Sequence, residues 1–398
     1  MLTMLMYILL NLFFISQCQA ISYSKISLND PRYTWMDEQI ADNFSYIPHI
    51  TAQELEECWN HVKRDQDNFT RYQIINSKVY GPRGALYDLM NILTKIYPIP
   101  DVDFIYYYGD DCSSYFCKNN TVVPILGSTA DYQDRASRSI MFADRLYDIL
   151  SETTGWNQII SSTNAAYISA PSWEQKIAKA WWRGVPSDGA WGAGGPYKVN
   201  EWHKAPRGKA VYLSHYVAPH DIDAAFIPFG QVADIVDNYQ KFIKIVPMAA
   251  PLPRTHAMGY KYHLNLDGQT ATFPGYQWRL LTGGVTFKQD SFKMMWFYGG
   301  LKPWVHYIPF ERYCGDLIQK IAWAKQHDAT AKTIGTNARI FALNNIMPEH
   351  VLLYCYKVLL TYASLQKFTP RPYNTEQRPR PSPYTVGNQK WKTWDDDM

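Results

Sequence analysis

The chain lacks an excess of charge of either sign. Among its 398 residues, 39 Lys plus Arg stand against 36 Asp plus Glu, a formal net charge of +3, and no long basic run gathers them. Nucleic-acid binding driven by counterion release depends on such runs, so no nucleic-acid partner is expected. Past the N-terminus no stretch is apolar enough for the roughly 20 residues that a membrane-spanning helix takes, so no stable span is expected. Cysteine is scarce, six in all. No C-x-x-C pair or clustered His accompanies the cysteines, so neither a metal nor another cofactor is expected. Apolar and aromatic residues are plentiful, at 46% and 15%. That is enough for one large or two ordinary cores, and two domains are the expectation.

The first twenty residues, MLTMLMYILLNLFFISQCQA, hold an apolar core and end in small residues, Cys18 and Ala20, spaced like a signal-peptidase site. They read as a cleaved signal peptide, 1–20, with an uncleaved anchor as the alternative. Cleavage would leave Cys58, Cys112, Cys117, Cys314 and Cys355 in an oxidising compartment, where disulfides persist. An odd number leaves one thiol over. Cys112 with Cys117, and Cys58 with Cys355, are the candidate pairs; Cys314 would stay free, and spacing alone does not fix this pairing. The sequons at Asn43, Asn68 and Asn119 fit a chain of the secretory pathway.

Along the mature chain a helix is expected around Ala52 to Arg64 and an alternating strand over Tyr72 to Tyr80. A helix from Arg83 to Ile96 stops before Pro98 and Pro100. Asp103 to Tyr108 is aromatic and β-branched without alternation, as in a strand buried on both faces of a parallel sheet. A short strand, Val122 to Leu126, follows. The next block reads as a helix from Glu174 into Ala180-Trp-Trp-Arg-Gly, a Gly-rich loop to Gly195, a helix over Arg207 to Tyr216 and a strand over Tyr260 to Leu266. Asp267-Gly268 is then a turn signal. Val285 to Lys288 reads as a strand, and three helices follow at approximately 315–327, 329–345 and 348–366. Strands alternating with helices argue for an α/β layer architecture. From Thr369 the tail is Pro-rich with no sign of a folded unit.

Several of these segments, in order, resemble glycosyltransferase family 90, the family of protein O-glucosyltransferases and capsule-associated xylosyltransferases with a CAP10-like domain. They are Arg71-Tyr-Gln-Ile-Ile-Asn-Ser-Lys-Val-Tyr80, Pro100-Asp-Val-Asp103 leading to an Asp-Asp pair, Trp182-Arg-Gly184, and Arg207 opening a helix. Lys261-Tyr-His-Leu-Asn-Leu-Asp-Gly268, Phe287-Lys-Gln-Asp-Ser291 and Leu301-Lys-Pro-Trp-Val-His-Tyr-Ile-Pro309 complete the series. The resemblance spans approximately residues 68 to 366. It implies a GT-B arrangement of two Rossmann-like domains facing across a cleft. The N-terminal one, 21–174, would take the acceptor side and the C-terminal one, 175–345, the nucleotide sugar. A helix over 346–368 would cross back, and 369–398 would remain a tail. The implied reaction is inverting transfer of glucose or xylose from a UDP-sugar to a hydroxyl of a protein or glycan acceptor. Relatives also imply residence in the endoplasmic reticulum, although the C-terminus carries no KDEL-type signal, so the Golgi or secretion stays open.

Inverting transfer takes a base for the acceptor proton and stabilisation of the departing diphosphate. The family's base sits at the strand end reached here by Asp110 and Asp111: counting forward from Pro100-Asp101 selects Asp110, the favoured one, and counting back from Val123-Pro124 selects Asp111. A glycosidase pair is disfavoured, because side chains on adjacent extended residues point opposite ways. On the donor, the resemblance places Arg183, Gly184, Arg207, Asp267 and Gly268. A planar guanidinium such as that of Arg207 grips phosphate oxygens bidentately. The chain departs from the family at Val185, where a Ser or Thr is common, and at Pro274, where many relatives have an arginine. Arg279 is the candidate replacement. The loop Gly189 to Gly195 is not a P-loop and reads as a cover over the donor. Arg83 falls near the acceptor-contacting segment, His306 reads as structural, and Trp182, Trp191 and Tyr307 are candidates for stacking on uracil or sugar. Two other readings stay open: a xylosyltransferase acting on polysaccharide, and a catalytically silent sugar-binding relative.

Overall fold

The computed structural model describes residues 23–63, 68–109, 123–133, 139–143, 155–187, 197–228, 239–272 and 274–372, with a short antiparallel pair, Thr385–Val386 and Gln389–Lys390. In the N-terminal half, α1 (Thr34–Phe44) and α2 (Ala52–Val62) precede β1 (Phe69–Ile75) and β2 (Lys78–Tyr80). Next come α3 (Ala85–Ile96), β3 (Val102–Tyr107), β4 (Leu126–Gly127), β5 (Thr129–Asp131), β6 (Ile140–Met141) and α4 (Gly155–Ile168). The C-terminal half opens with β7 (Ile177–Gly184), α5 (Pro206–Tyr212), β8 (Ile222–Phe226) and α6 (Tyr239–Ile245). It continues through β9 (Tyr260–Asn265), α7 (Gly275–Leu281), β10 (Val285–Gln289), β11 (Lys293–Met295) and β12 (Ile308–Phe310). Three helices close it: α8 (Leu317–Gln326), α9 (Asp328–Asn345) and α10 (Pro348–Leu365).

Local chemistry explains several boundaries. Thr51 and Glu54 form a capping box at the start of α2, the Thr51 hydroxyl accepting from Glu54 N–H at 3.2 Å and the Glu54 carboxylate from Thr51 N–H at 2.8 Å. The expected strand over Tyr72 to Tyr80 is a hairpin instead. Asn76 and Ser77 adopt φ of 50° and 61° between β1 and β2, the left-handed pair that a two-residue hairpin turn demands. A second correction concerns Glu174 to Gly184. After one 3-10 turn at Trp173–Gln175, the backbone is the strand β7, not a helix. It lies between β8 and β9 as a central strand, and Trp181 packs into one core while Ala180 and Trp182 pack into the other, so no period-2 alternation marks it.

Two five-stranded sheets carry these elements. The first runs β2-β1-β3-β4-β6, with β3, β4 and β6 parallel and β1 antiparallel to β3. The expectation of full burial for β3 holds along its whole length, but in a mixed sheet. The second sheet runs β12-β10-β9-β7-β8 and is parallel throughout. One apolar core joins α1, α3, the first sheet and α10 to Trp181, Trp278 and Trp296 of the C-terminal half; a second packs under β7, β8, β9, β10 and α8.

The Cys58–Cys355 pairing is overturned, since both are buried free thiols. Cys58 packs with Leu55, Phe69, Ile105 and Tyr107, whereas Cys355 packs with residues that include Tyr72, Phe104 and Tyr106. Successive side chains of β1 and β3 point to opposite faces of their sheet, so the sheet stands between the two sulfurs. Burial pushes the Cys58 thiol up to about 12 and that of Cys355 higher still. Cys314 forms no disulfide among the described residues; it is buried, and its thiol donates to Pro206 O at 3.7 Å. Cys112 and Cys117 lie outside the described residues.

Candidate functional site

In chain order the second sheet is arranged 2-1-3-4-5, counting β7 as first. Such a sheet changes winding direction between its first and third strands, and ligands sit outside the carboxyl ends there. Here those ends are Gly184-Val185 and Leu266-Asp267-Gly268.

Arg207, in the first turn of α5, reaches into this crevice. Its Nε donates to Asp267 O at 3.0 Å, Nη1 to Val185 O at 2.7 Å and Ser187 Oγ at 2.9 Å, and Nη2 to Leu266 O at 3.2 Å. The guanidinium lies 5.6 Å from the Trp182 ring centroid. Arg207 therefore ties the end of β7 to the end of β9. The two glycines allow the close fit: a Cβ on Gly268 would meet Arg207 Nη2 at 2.9 Å, and one on Gly184 would meet the Trp182 ring at 2.5 Å. Trp182 is core, 2% exposed, rather than a stacking platform.

Asp267 braces the same turn. Its Oδ1 accepts from the N–H and the hydroxyl of Thr272, both at 3.1 Å, and its Oδ2 accepts from the Ser291 hydroxyl. The Gln289 carboxamide accepts from Asp267 N–H at 2.8 Å and donates to Arg312 O at 2.7 Å, which joins the ends of β9, β10 and β12.

Arg279 is different. It projects from α7 back toward the first turn, where a Cβ on Gly275 would lie 2.5 Å from its Nη1. It is 3% exposed, and its Nε and Nη1 have no hydrogen-bond partner. No carboxylate pairs with it among the described residues. Burial, and then the charge of Arg207, push its pKa down to about 9, which records how poorly this cation is compensated. Beside it lie further buried polar groups: Asn265, Tyr298, whose hydroxyl shares a hydrogen bond with the Asn265 side chain, and Tyr276, whose hydroxyl has no partner among the described residues. The two tyrosine rings are 5.4 Å apart. Sequence reading passed over Asn265, Tyr276, Tyr298 and the buried Lys288. A lysine directly after the strand-like Val285-Thr286-Phe287 was the available signal.

The first sheet brings its own carboxyl ends to this place. Thr270, just past Gly268, donates through its hydroxyl to Thr129 Oγ1 at 2.5 Å, and Thr129 opens β5 with one residue between it and the end of β4. Beside them β5 pairs antiparallel with β11. β4 in turn pairs with β3, Tyr107 opposite Gly127, and β3 leads through Tyr108 and Gly109 to Asp110 and Asp111. Both aspartates lie outside the described residues, as do Trp191 and the loop Gly189 to Gly195. At the strand's end the Tyr72 and Tyr108 hydroxyls are 2.5 Å apart, and the Tyr72 hydroxyl donates to Pro82 O at 3.3 Å. The Gly81-Pro-Arg-Gly84 loop is thereby held at the end of β3, with Arg83 exposed.

Arg183, an expected site residue, and His306 both serve the scaffold. Arg183 Nη2 pairs with Asp223 Oδ1 of β8 at 2.7 Å, and Asp223 Oδ2 accepts from the Tyr260 hydroxyl at 2.5 Å. His306 Nδ1 accepts from Lys302 N–H at 2.9 Å, its ring packs 5.0 Å from Phe341, and burial pushes its pKa down to about 4. It is structural, as expected. Tyr307 is half-buried.

Comparison with known proteins bears on this arrangement. Human protein O-glucosyltransferase 3 is 27% identical over 344 residues, 84% of this chain and 62% of that protein. Zebrafish protein O-glucosyltransferase 2 is 29% identical over 308 residues, 75% of this chain and 56% of the relative. The chain thus spans less than two thirds of the length of either. A crystal structure of Anabaena HepE in complex with UDP-glucose aligns over 62% of this chain and 65% of that one, with a TM-score of 0.35 and 11% identity. The sequence pattern of Glycosyl transferase family 90 matches residues 50–378, and the chain belongs to that family.

Proposed function

We propose that this protein is a UDP-sugar-dependent glycosyltransferase that moves glucose or xylose to a protein hydroxyl with inversion, in a GT-B arrangement whose two sheets face one cleft. The observation that carries the reading is Arg279: a buried guanidinium with no carboxylate partner among the described residues, in the helix that follows β9, beside the sheet end where an α/β sheet takes its ligand. An unpaired buried charge is costly, so a site that keeps one is built for an ion of opposite sign. A diphosphate supplies that ion.

In the reaction, Asp110 or Asp111 takes the acceptor's hydroxyl proton as the oxygen attacks the anomeric carbon. The bond from that carbon to the diphosphate oxygen breaks, and UDP leaves with the electron pair. Arg279 stabilises the developing charge. Arg207 fixes the walls of the site through its carbonyl contacts and adds its charge from behind. The meeting of Thr129 with Thr270 supports bringing the end of β3 to the donor. Work in the secretory pathway, on an acceptor presented there, accords with the leader-like residues 1–20 and with the protein-directed names of the relatives.

A donor panel with UDP release as readout tests this. UDP-glucose or UDP-xylose should be slowly hydrolysed without acceptor, and an Asp110→Asn, Asp111→Asn double variant should release none. Release that persists in the double variant would contradict the assigned base.

A further inference from the structure

We propose that Lys288 is the second cation of one anion site, which it forms with Arg279, and that Tyr298 and Asn265 are the neutral donors between them. The inference rests on the donor site above and assigns its diphosphate end. Lys288 lies on β10 and is 8% exposed. Its Nζ donates to Gln289 O at 3.1 Å, and it makes no salt bridge among the described residues. It stands 4.9 Å from the centroid of the Tyr298 ring. In register, Lys288 is opposite Asn265 and Thr286 is opposite His263. Strand alternation puts these four side chains on one face, while Val285, Phe287 and Leu264 fill the core on the other. Arg279 is within electrostatic reach of both Tyr298 and His263.

Among the described residues the nearby carboxylates form no ion pair with either cation and act on Lys288 only through space. Asp267 has its oxygens engaged by Thr272 and Ser291, and Asp290 is exposed. Burial holds the pKa of Lys288 below its ordinary value against the pull of both aspartates. Two buried cations that both interact with Tyr298, beside a hydroxyl and a carboxamide that can turn toward an anion, match a ligand that carries two adjacent negative phosphates. A lysine kept only for packing would be better replaced by an apolar chain of the same length.

Isothermal titration of the full chain with inorganic pyrophosphate, UDP and uridine, using wild type, Lys288→Met and Arg279→Met, tests the site. Each substitution should weaken pyrophosphate and UDP binding at least about tenfold and leave uridine binding unchanged. The ligand-free Lys288→Met protein should melt at or above the wild-type temperature, because the uncompensated charge is gone. Wild-type protein that ignores pyrophosphate, or a Lys288→Met variant that binds it normally, overturns the assignment. A variant that melts lower and loses uridine in equal measure does so as well, because the lysine is then structural. Pyrophosphate binding that depends on Lys288 in a protein without turnover of any UDP-sugar would keep the anion site and remove the transferase reading.

Discussion

Replacing Arg207 by Met separates the two arginines of the site by their effect on stability. Arg207 is embedded in acceptors: the carbonyls of Val185, Leu266 and Asp267 and the Ser187 hydroxyl all take hydrogen bonds from it. Methionine fills much of the volume and donates nothing, which leaves three carbonyls at the strand ends without their donor. Each buried unsatisfied acceptor costs about 1 kcal/mol at the low end of the usual range. Loss of the guanidinium from the Trp182 face adds roughly 0.5 kcal/mol. The sum is about 3–4 kcal/mol, and melting of a chain this long should fall by roughly 4–5 °C. Arg207→Lys keeps the charge but not the planar fork, so it should recover only part. Urea unfolding of ligand-free protein reads the difference through the midpoint. An Arg207→Met variant within about 0.5 kcal/mol of wild type, the range of an ordinary surface change, would refute the clamp and return Arg207 to direct phosphate binding.

Three further predictions concern the scaffold. Arg71 and Asp103 form a buried pair, Nε to Oδ1 at 2.8 Å and Nη2 to Oδ2 at 2.7 Å. Asp103→Ala should therefore cost about 3–5 kcal/mol in denaturant unfolding, and an added Arg71→Met should recover much of it. His350 is buried with its Nε2 3.0 Å from the Tyr33 hydroxyl, and burial holds its pKa at about 4. The unfolded chain protonates near pH 6.5, so the stability this group confers is complete above 6.5 and is lost as pH falls toward 4, about 2 kcal/mol by pH 5. Unfolding at pH 7.5 and 5.0 should show that loss, and His350→Gln should shrink it. Alkylation in denaturant without reductant should label Cys58, Cys314 and Cys355; a peptide linking Cys58 to Cys355 would contradict their placement on opposite faces of the first sheet.

Much of the fold was legible where one physical signal dominated. The apolar run of β3, the strands Tyr260–Asn265 and Val285–Gln289, and the three closing helices all lie close to where periodicity put them. β7 was not legible, because a central parallel strand loses the alternation that distinguishes strand from helix. Nor was the break at Asn76-Ser77, since β1 is buried at every position and no Gly or Pro marks the turn. At the site, residue identity indicated Arg207, Asp267 and Gly268 but not their work. Whether a guanidinium faces carbonyls or an open charge deficit depends on contacts 20 to 60 residues apart, such as Arg207 with Ser187, Val185 and Asp267. Lys288 stayed hidden for the converse reason, as its strand looks like core from sequence and only the register with Asn265 places it beside Arg279's surroundings.

The central claim is that Arg279 stabilises a departing UDP. Release of UDP from UDP-glucose or UDP-xylose, whichever wild type turns over, should be measured for wild type and Arg279→Met at matched folded concentration. The account predicts a kcat/KM lower by about 100-fold or more in the variant, the effect of removing one preorganised charge at a leaving group. Equal rates in the two proteins would contradict it.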